Sequence, residues 1–182
     1  ALIPALSRLL SHCGLMKEKL GPDIEISFVG PCIAKKLEAD NHPDLLSLSL
    51  SFSDLRQWFK DENINPAEIT PSVFDKFILE KATDGTAYPI EGGMIETLRP
   101  YEQSKKAYLM QVSGIGNLRR ELQNLDTAGL DRPVFVECLA CLGGCVSGPC
   151  TNNKKNGLEK RVDILKQTEF PEDIAKRKPY VD

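Results

Sequence analysis

Nowhere in the 182 residues does an apolar run approach the roughly 18 consecutive residues needed to cross a bilayer. The opening ALIPALSRLL also lacks the basic region and small-residue cleavage site of a signal peptide. Positive charge is not in excess. With 23 Lys and Arg against 26 Asp and Glu, the net charge is -3, and the chain has no broad field for a nucleic-acid backbone, which demands clustered cations. Nor are hydrophobic residues depleted: at 41%, beside 27% charged, the composition is that of a folded protein and disorder is not indicated. The expectation is a cytoplasmic chain with no membrane and no nucleic-acid partner. Its length suits one domain, or two small lobes sharing a core, without disulfide staples. In that compartment six cysteines are expected as ligands or thiols rather than as a disulfide framework.

What is present is concentrated. Between residues 137 and 150, ECLACLGGCVSGPC holds four of the six cysteines, Cys138, Cys141, Cys145 and Cys150, interleaved with Gly143, Gly144 and Gly148. Thiolates are soft donors suited to zinc, copper or iron-sulfur clusters, and glycine lets backbone approach a bulky inorganic group with no Cβ in the way. Zinc knuckles come as two short cysteine pairs set a loop apart; only one such cluster is present. A Gly-rich turn with incidental buried thiols is the alternative.

Along the chain, 2–20 reads as an amphipathic helix ended by Gly21-Pro22, and IEISFV at 24–29 as a strand that breaks at Gly30-Pro31. Directly after that strand come Cys32, Lys35, Lys36 and Glu38, where ligands usually bind in open α/β sheets. A loop and short strand are expected over 41–49, a helix over 54–62 capped by Ser53, with Trp58 and Phe59 as core anchors, and a short helix over 72–80. EGGMIETL at 91–98 suggests a Gly-Gly helix start whose amides could support an anion or whose glycines pack closely, with Met94, Ile95 and Leu98 facing inward. A strand over 107–112, a helix over 117–125 and a strand over 134–136 lead into the cysteine stretch. The alternation gives an α/β fold with mixed or parallel sheets flanked by helices and with both cysteine loops after strands. Residues 1–150 form the expected domain and 151–182 a polar C-terminal helix or tail.

With CIAKK at 32–36 and ACLGGC at 140–145 both in hand, the chain resembles the catalytic, or H-cluster, domain of iron-only (FeFe) hydrogenases. FVGPCIAKKLEAD resembles the family's second cysteine motif, VECLACLGGCVSG its third, and EGGMIETL its Gly-Gly-Val-Met-Glu helix start, in the right order and spacing across residues 2–150. The resemblance implies a four-iron four-sulfur cluster bridged to a two-iron subcluster that carries carbon monoxide, cyanide and a dithiolate. By motif position Cys32 and Cys141 would ligate the cubane, Cys145 would be the bridging ligand, and Lys35 would hydrogen-bond an iron-bound cyanide. Ser7 aligns with a serine of the family's proton relay, and Gly143 and Gly144 would let the chain wrap the cofactor. The implied activity of the parent is reversible proton reduction to hydrogen, or sensing of hydrogen or redox state. Implied partners are protons and hydrogen gas, upstream ferredoxin-type iron-sulfur domains or an electron carrier, and PAS or other signalling domains.

The departures from the family pattern carry information too. Ala1 begins inside an apolar helical pattern without a cap, so the chain is expected to be truncated, and the family's Thr-Ser-Cys-type first motif would lie just upstream. Such a fragment is expected to be inactive and to lack the two-iron unit. With no metal bound, cysteine loops lose contacts that order them. The family's methionines are replaced by Gly30 and Leu139. Where hydrogen-evolving members carry a triple-glycine segment, the chain reads SGPC at 147–150, and Pro149 removes an amide donor and fixes φ. These changes resemble the divergent sensory branch. Cys138 and Cys150, with no counterpart among the standard ligands, are expected as packing thiols; Cys150 has a contact to a proton or metal as the alternative. An iron-sulfur signalling module without hydrogenase activity is the second reading.

Overall fold

The computed structural model describes residues 6–79, 81–123, 125, 129–152 and 154–170. They fall into two compact units, one comprising 1–69 with 148–152, the other 70–147 with 153–182.

In the first unit, helix α1 (Arg8–Leu20) leads to strand β1 (Ser27–Gly30), helix α2 (Ala34–Asn41), strand β2 (Leu48–Ser51) and helix α3 (Phe52–Asp61). β1 and β2 pair in parallel, Ser27 opposite Leu48 and Gly30 opposite Ser51, with α2 in the crossover that parallel pairing requires. The core is a cluster of Leu10 and Cys13 from α1, Ile26, Ala39 from α2, and Leu46, with Met16, Ile24 and Phe28 packed on it. α1 starts at Arg8 because Ser7 is its cap: the Ser7 hydroxyl accepts from the Leu10 amide at 3.3 Å. The part of the expected 2–20 helix before residue 6 lies outside the described residues. β1 is later and shorter than the expected 24–29 run, since Ile26 spends its carbonyl on the Ser47 and Leu48 amides before the ladder begins.

Two expectations for α3 are corrected. Ser51, not Ser53, caps it, because only Ser51 has an acidic residue at the third helical position: the Ser51 hydroxyl accepts from the Asp54 amide while Asp54 accepts from the Ser51 amide. Trp58 is 55% exposed rather than a core anchor. The half-buried stripe of the helix runs through Phe52, Leu55 and Phe59, and Trp58 falls beside it.

In the second unit, helix α4 (Gly93–Leu98), strand β3 (Tyr108–Ser113), helix α5 (Ile115–Gln123), strand β4 (Val134–Leu139) and helix α6 (Gly157–Leu165) follow in order. β3 and β4 pair in parallel from Tyr108 opposite Val134 to Ser113 opposite Leu139. The short helix expected over 72–80 is not formed among its described residues. The Ser72 hydroxyl accepts from the Phe74 amide and the Asp75 amide bonds the Ser72 carbonyl, giving a single turn. Val73, Phe74, Phe77 and Ile78 then stand exposed, Phe74 at 87%; a short helix owes its stability chiefly to packing of an apolar face, and here none is packed. At 91–98, Ile95 is buried as expected and Met94 and Leu98 are half-buried. The architecture is α/β with small parallel sheets flanked by helices, and each cysteine loop follows a strand, as the sequence leads one to expect. No helix among the described residues is long and apolar enough to cross a membrane.

Candidate functional site

The first group of candidate residues sits where β1 gives way to α2. Gly30 ends the strand, and Cys32 opens a turn in which the Lys35 amide bonds the Cys32 carbonyl at 3.2 Å. The Lys35 ammonium donates to Ser7 Oγ at 3.3 Å and to Glu38 Oε2 at 2.5 Å. Ser7 and Lys35, 28 residues apart in sequence, are therefore in contact. Lys36 turns elsewhere, onto Asp54 at 2.6 Å. That contact, followed by the bonds from Ser51, lowers the Asp54 carboxyl from 3.8 to about 2. Below this junction Cys13 is 1% exposed. Burial pushes its thiol up, Glu38 adds to the rise, and Lys17 and Lys35 oppose it.

At Gly30, where the resemblance calls for methionine, the space a side chain would occupy is filled. A Cβ there would lie 2.4 Å from the Phe28 ring. The other replaced methionine, Leu139, is 5% exposed and part of the packed interior.

The second group is the loop after β4. β4 extends three residues further than the expected 134–136, so Glu137, Cys138 and Leu139 belong to the strand. Alternation along it buries Glu137 and Leu139 and turns Cys138 outward. Cys138 is thus an exposed thiol and not the packing thiol expected of it; partial desolvation and then Glu137 raise its pKa. Cys150 is half-buried.

From Cys141 to Cys145 the loop is shaped by backbone. Gly143 and Gly144 have φ of 76° and 104°, left-handed values that glycine takes without a steric penalty. A Cβ on Gly144 would lie 2.4 Å from the Pro89 carbonyl oxygen and 2.9 Å from Ile90 Cα, so only glycine can seat the loop on that turn. The Glu91 amide bonds the Gly143 carbonyl, the Val146 amide bonds the Pro89 carbonyl at 3.1 Å, and the Gly143 amide donates to Ser113 Oγ at 3.0 Å. Cys141 and Cys145 flank this pinned turn, half-buried and in no disulfide.

The glycines at 92 and 93 serve close packing. Gly92, at φ 84°, precedes α4, and a Cβ on Gly93 would lie 1.9 Å from the Ala87 carbonyl oxygen. The group at this helix start is a carboxyl of the chain itself: Glu137 Oε1 accepts from the Met94 amide at 3.3 Å, while Glu137 Oε2, buried, has no hydrogen-bond partner among the described residues. Glu137 and Ser113 are the supports that sequence reasoning missed. The sign available for Glu137 was its place one residue before a cysteine on an inward strand position. Among the described residues a cleft of about 530 Å³ between β3 and α5 is lined by Gln111, Asn117, Arg120 and Leu142 among others and by no cysteine. Within neither unit do three or more His, Cys, Asp or Glu side chains of the described residues converge as a metal-holding group.

Residues 1–149 match the family described as iron only hydrogenase large subunit, C-terminal domain. The chain belongs to that family. No curated protein matches it in sequence. Among solved structures, the iron-only hydrogenase fold is shared with HydA(deltaEFG), reported as revealing stepwise FeFe-hydrogenase H-cluster assembly, at a TM-score of 0.54 and 18% identity over 86% of this chain and 57% of that one. Two variants of the FeFe-hydrogenase HydA1 from Chlamydomonas reinhardtii, each with one glutamate replaced, match at a TM-score of 0.55 and 19% identity, again over 86% of this chain and 57% of theirs. The chain thus spans under three fifths of the length of these hydrogenases.

Proposed function

We propose that this member of the iron-only hydrogenase family contributes Cys32, Cys141 and Cys145 to an H-cluster-type iron-sulfur centre, with Cys145 as the ligand shared with a two-iron unit. The observation that carries this reading is the pinned CLGGC turn. Two soft donors flank a glycine pair in which Gly144 packs directly on the Pro89 carbonyl and the Cβ position of Gly143 meets nothing nearer than Ser147 Oγ at 3.9 Å, and half-buried thiols outside any disulfide suit a cluster with thiolate ligands. When bound, such a centre supplies the redox chemistry of reversible proton reduction to hydrogen.

The chain's own residues then do the rest. Gly143 and Gly144 keep the backbone close without side chains. Lys35 offers an ammonium N–H to a cyanide, a charge-assisted contact of the stronger kind. Ser7 holds a proton at Oγ: its oxygen accepts from Leu10 and Lys35, and its own O–H is left to donate, as a relay group requires. Electrons would come from ferredoxin-type domains or a separate carrier in the cytoplasm, and a PAS or other signalling module would read the state of the centre.

A sensing role is favoured over rapid turnover by Gly30, where the Phe28 ring fills the side-chain position, and by Pro149, which removes an amide from the SGPC segment. The same two features favour the second reading, a cubane-only redox or signalling module without hydrogenase activity. Iron analysis and infrared spectroscopy of the full-length protein after maturation decide the matter. Bands from iron-bound carbon monoxide and cyanide are expected; a cubane without such bands sinks the hydrogenase reading and leaves the redox module.

A further inference from the structure

We propose that Glu38 and Ser7 are positioning residues for Lys35, gripping its ammonium through two of the three N–H donors and leaving the third for a small anionic ligand. The proposal rests on the reading of Lys35 as the cyanide-holding lysine and adds the residues that aim it.

An ammonium on a four-carbon stem is a mobile point charge with three donors, so alone it would present a ligand with no fixed direction. Here it is held from two elements at once. Glu38, one turn on in α2, takes one N–H at 2.5 Å, and the two side chains are only 24% and 19% exposed. Ser7 takes another at 3.3 Å, and Ser7 is itself fixed because its oxygen also caps α1 through the Leu10 amide. Among the described residues nothing takes the third N–H. The adjacent lysine is the contrast. Lys36 pairs with Asp54, a carboxylate already committed to the α3 capping box, and so ties α2 to α3. Sequence offers two lysines side by side after Cys32; the geometry assigns Lys35 to a ligand and Lys36 to the framework. The carboxylate also sets the kind of ligand. With Glu38 opposing its charge, Lys35 suits a compact anion that accepts one directed hydrogen bond rather than a polyanion that needs bare positive charge.

The test has two arms. In the chain itself, the Lys35 Nζ–H signal is followed by nitrogen-resolved NMR in the wild type and in Glu38→Ala, Glu38→Gln and Ser7→Ala. Loss of a charge-assisted partner should speed exchange of the ammonium protons about tenfold in Glu38→Ala, with Glu38→Gln in between because it keeps an acceptor. Asp54→Asn should alter Lys36 and leave Lys35 unmoved. Unchanged exchange in both Glu38 variants overturns the proposal. In the matured full-length protein, Glu38→Ala should shift the cyanide stretching band and Glu38→Gln should bring it back toward the wild-type position. Cyanide bands that ignore both Glu38 variants also overturn it. A wild type with no cyanide bands defeats the functional reading alone, and the exchange data still decide whether Glu38 and Ser7 hold Lys35.

Discussion

β1 and β4 each deliver a cysteine loop from the end of a two-stranded parallel sheet, yet the two junctions are built by opposite means. After β1 the chain turns at once into α2, and order there comes from side chains: Lys35 on Ser7 and Glu38, Lys36 on Asp54. After β4 only a single 3-10 turn at Cys145–Ser147 comes, among the described residues, before α6 begins at Gly157, and order comes mainly from backbone: two left-handed glycines, amides on carbonyls, and Gly144 seated on Pro89 and Ile90. A side-chain junction can be retuned one residue at a time at small cost to folding, because exposed or half-exposed ion pairs contribute little to stability. A backbone junction cannot. Gly144 will accept no Cβ, so any change there is structural first.

The contrast is broken most directly at Gly144. Gly144→Ala must adopt a left-handed φ and meet the Pro89 carbonyl, and should cost about 3 kcal/mol in denaturant unfolding. Glu38→Ala at the other junction should stay within about 1 kcal/mol. If the two cost the same, the distinction fails.

Next in size is Glu137, the buried support behind the second junction. Glu137→Ala leaves a void and an unpaired Met94 amide and should cost about 2 kcal/mol. Glu137→Gln should lose under about 1 kcal/mol, because one of the two carboxylate oxygens already lacks a partner. Thermal melts of the pair separate packing from charge.

Gly30→Met installs, on the side-chain junction, the residue that the sequence resemblance calls for. Its Cβ meets only the end of the Phe28 ring, which can swing aside, so the expected cost is about 1.5 kcal/mol. A displaced Phe28 ring, visible as altered ring-proton shifts, is the accompanying sign.

The smallest effect belongs to the α3 cap. Ser51→Ala should cost about 1 kcal/mol near neutral pH. Because the Asp54 carboxyl is lowered from 3.8 to about 2, the stability it adds is complete above the unfolded value and disappears as pH falls through the folded one. The gap between wild type and Asp54→Asn should therefore close between about pH 4 and pH 2 in a pH series of unfolding curves; a gap that persists at pH 2 would remove the carboxylate from the cap.

The cysteine spacing, the strands that precede each loop and the Gly-Gly helix start were readable because each depends on neighbours in sequence. What was not readable depends on partners far along the chain. Ser7 and Lys35 are 28 residues apart, and no local pattern announces their contact. Trp58 misled because hydrophobicity says how much a residue gains by burial, not whether its helix face meets anything. The segment at 72–79 misled in the same way, since its apolar residues repeat at helical spacing but nothing covers them among the described residues. Ser51 was recoverable: comparing the third residue after each serine, Asp54 against Arg56, selects the capping box.

Gly144 on the Pro89 turn has one more consequence, for how a metal centre would enter. Many small metal sites gain their shape only as ligands close around the ion, so binding and folding share one free energy. Here the turn between Cys141 and Cys145 is already closed by amides and carbonyls. Loading it would resemble filling a mould more than casting one: little new apolar surface would be removed from water, and calorimetry would register a correspondingly small heat-capacity change.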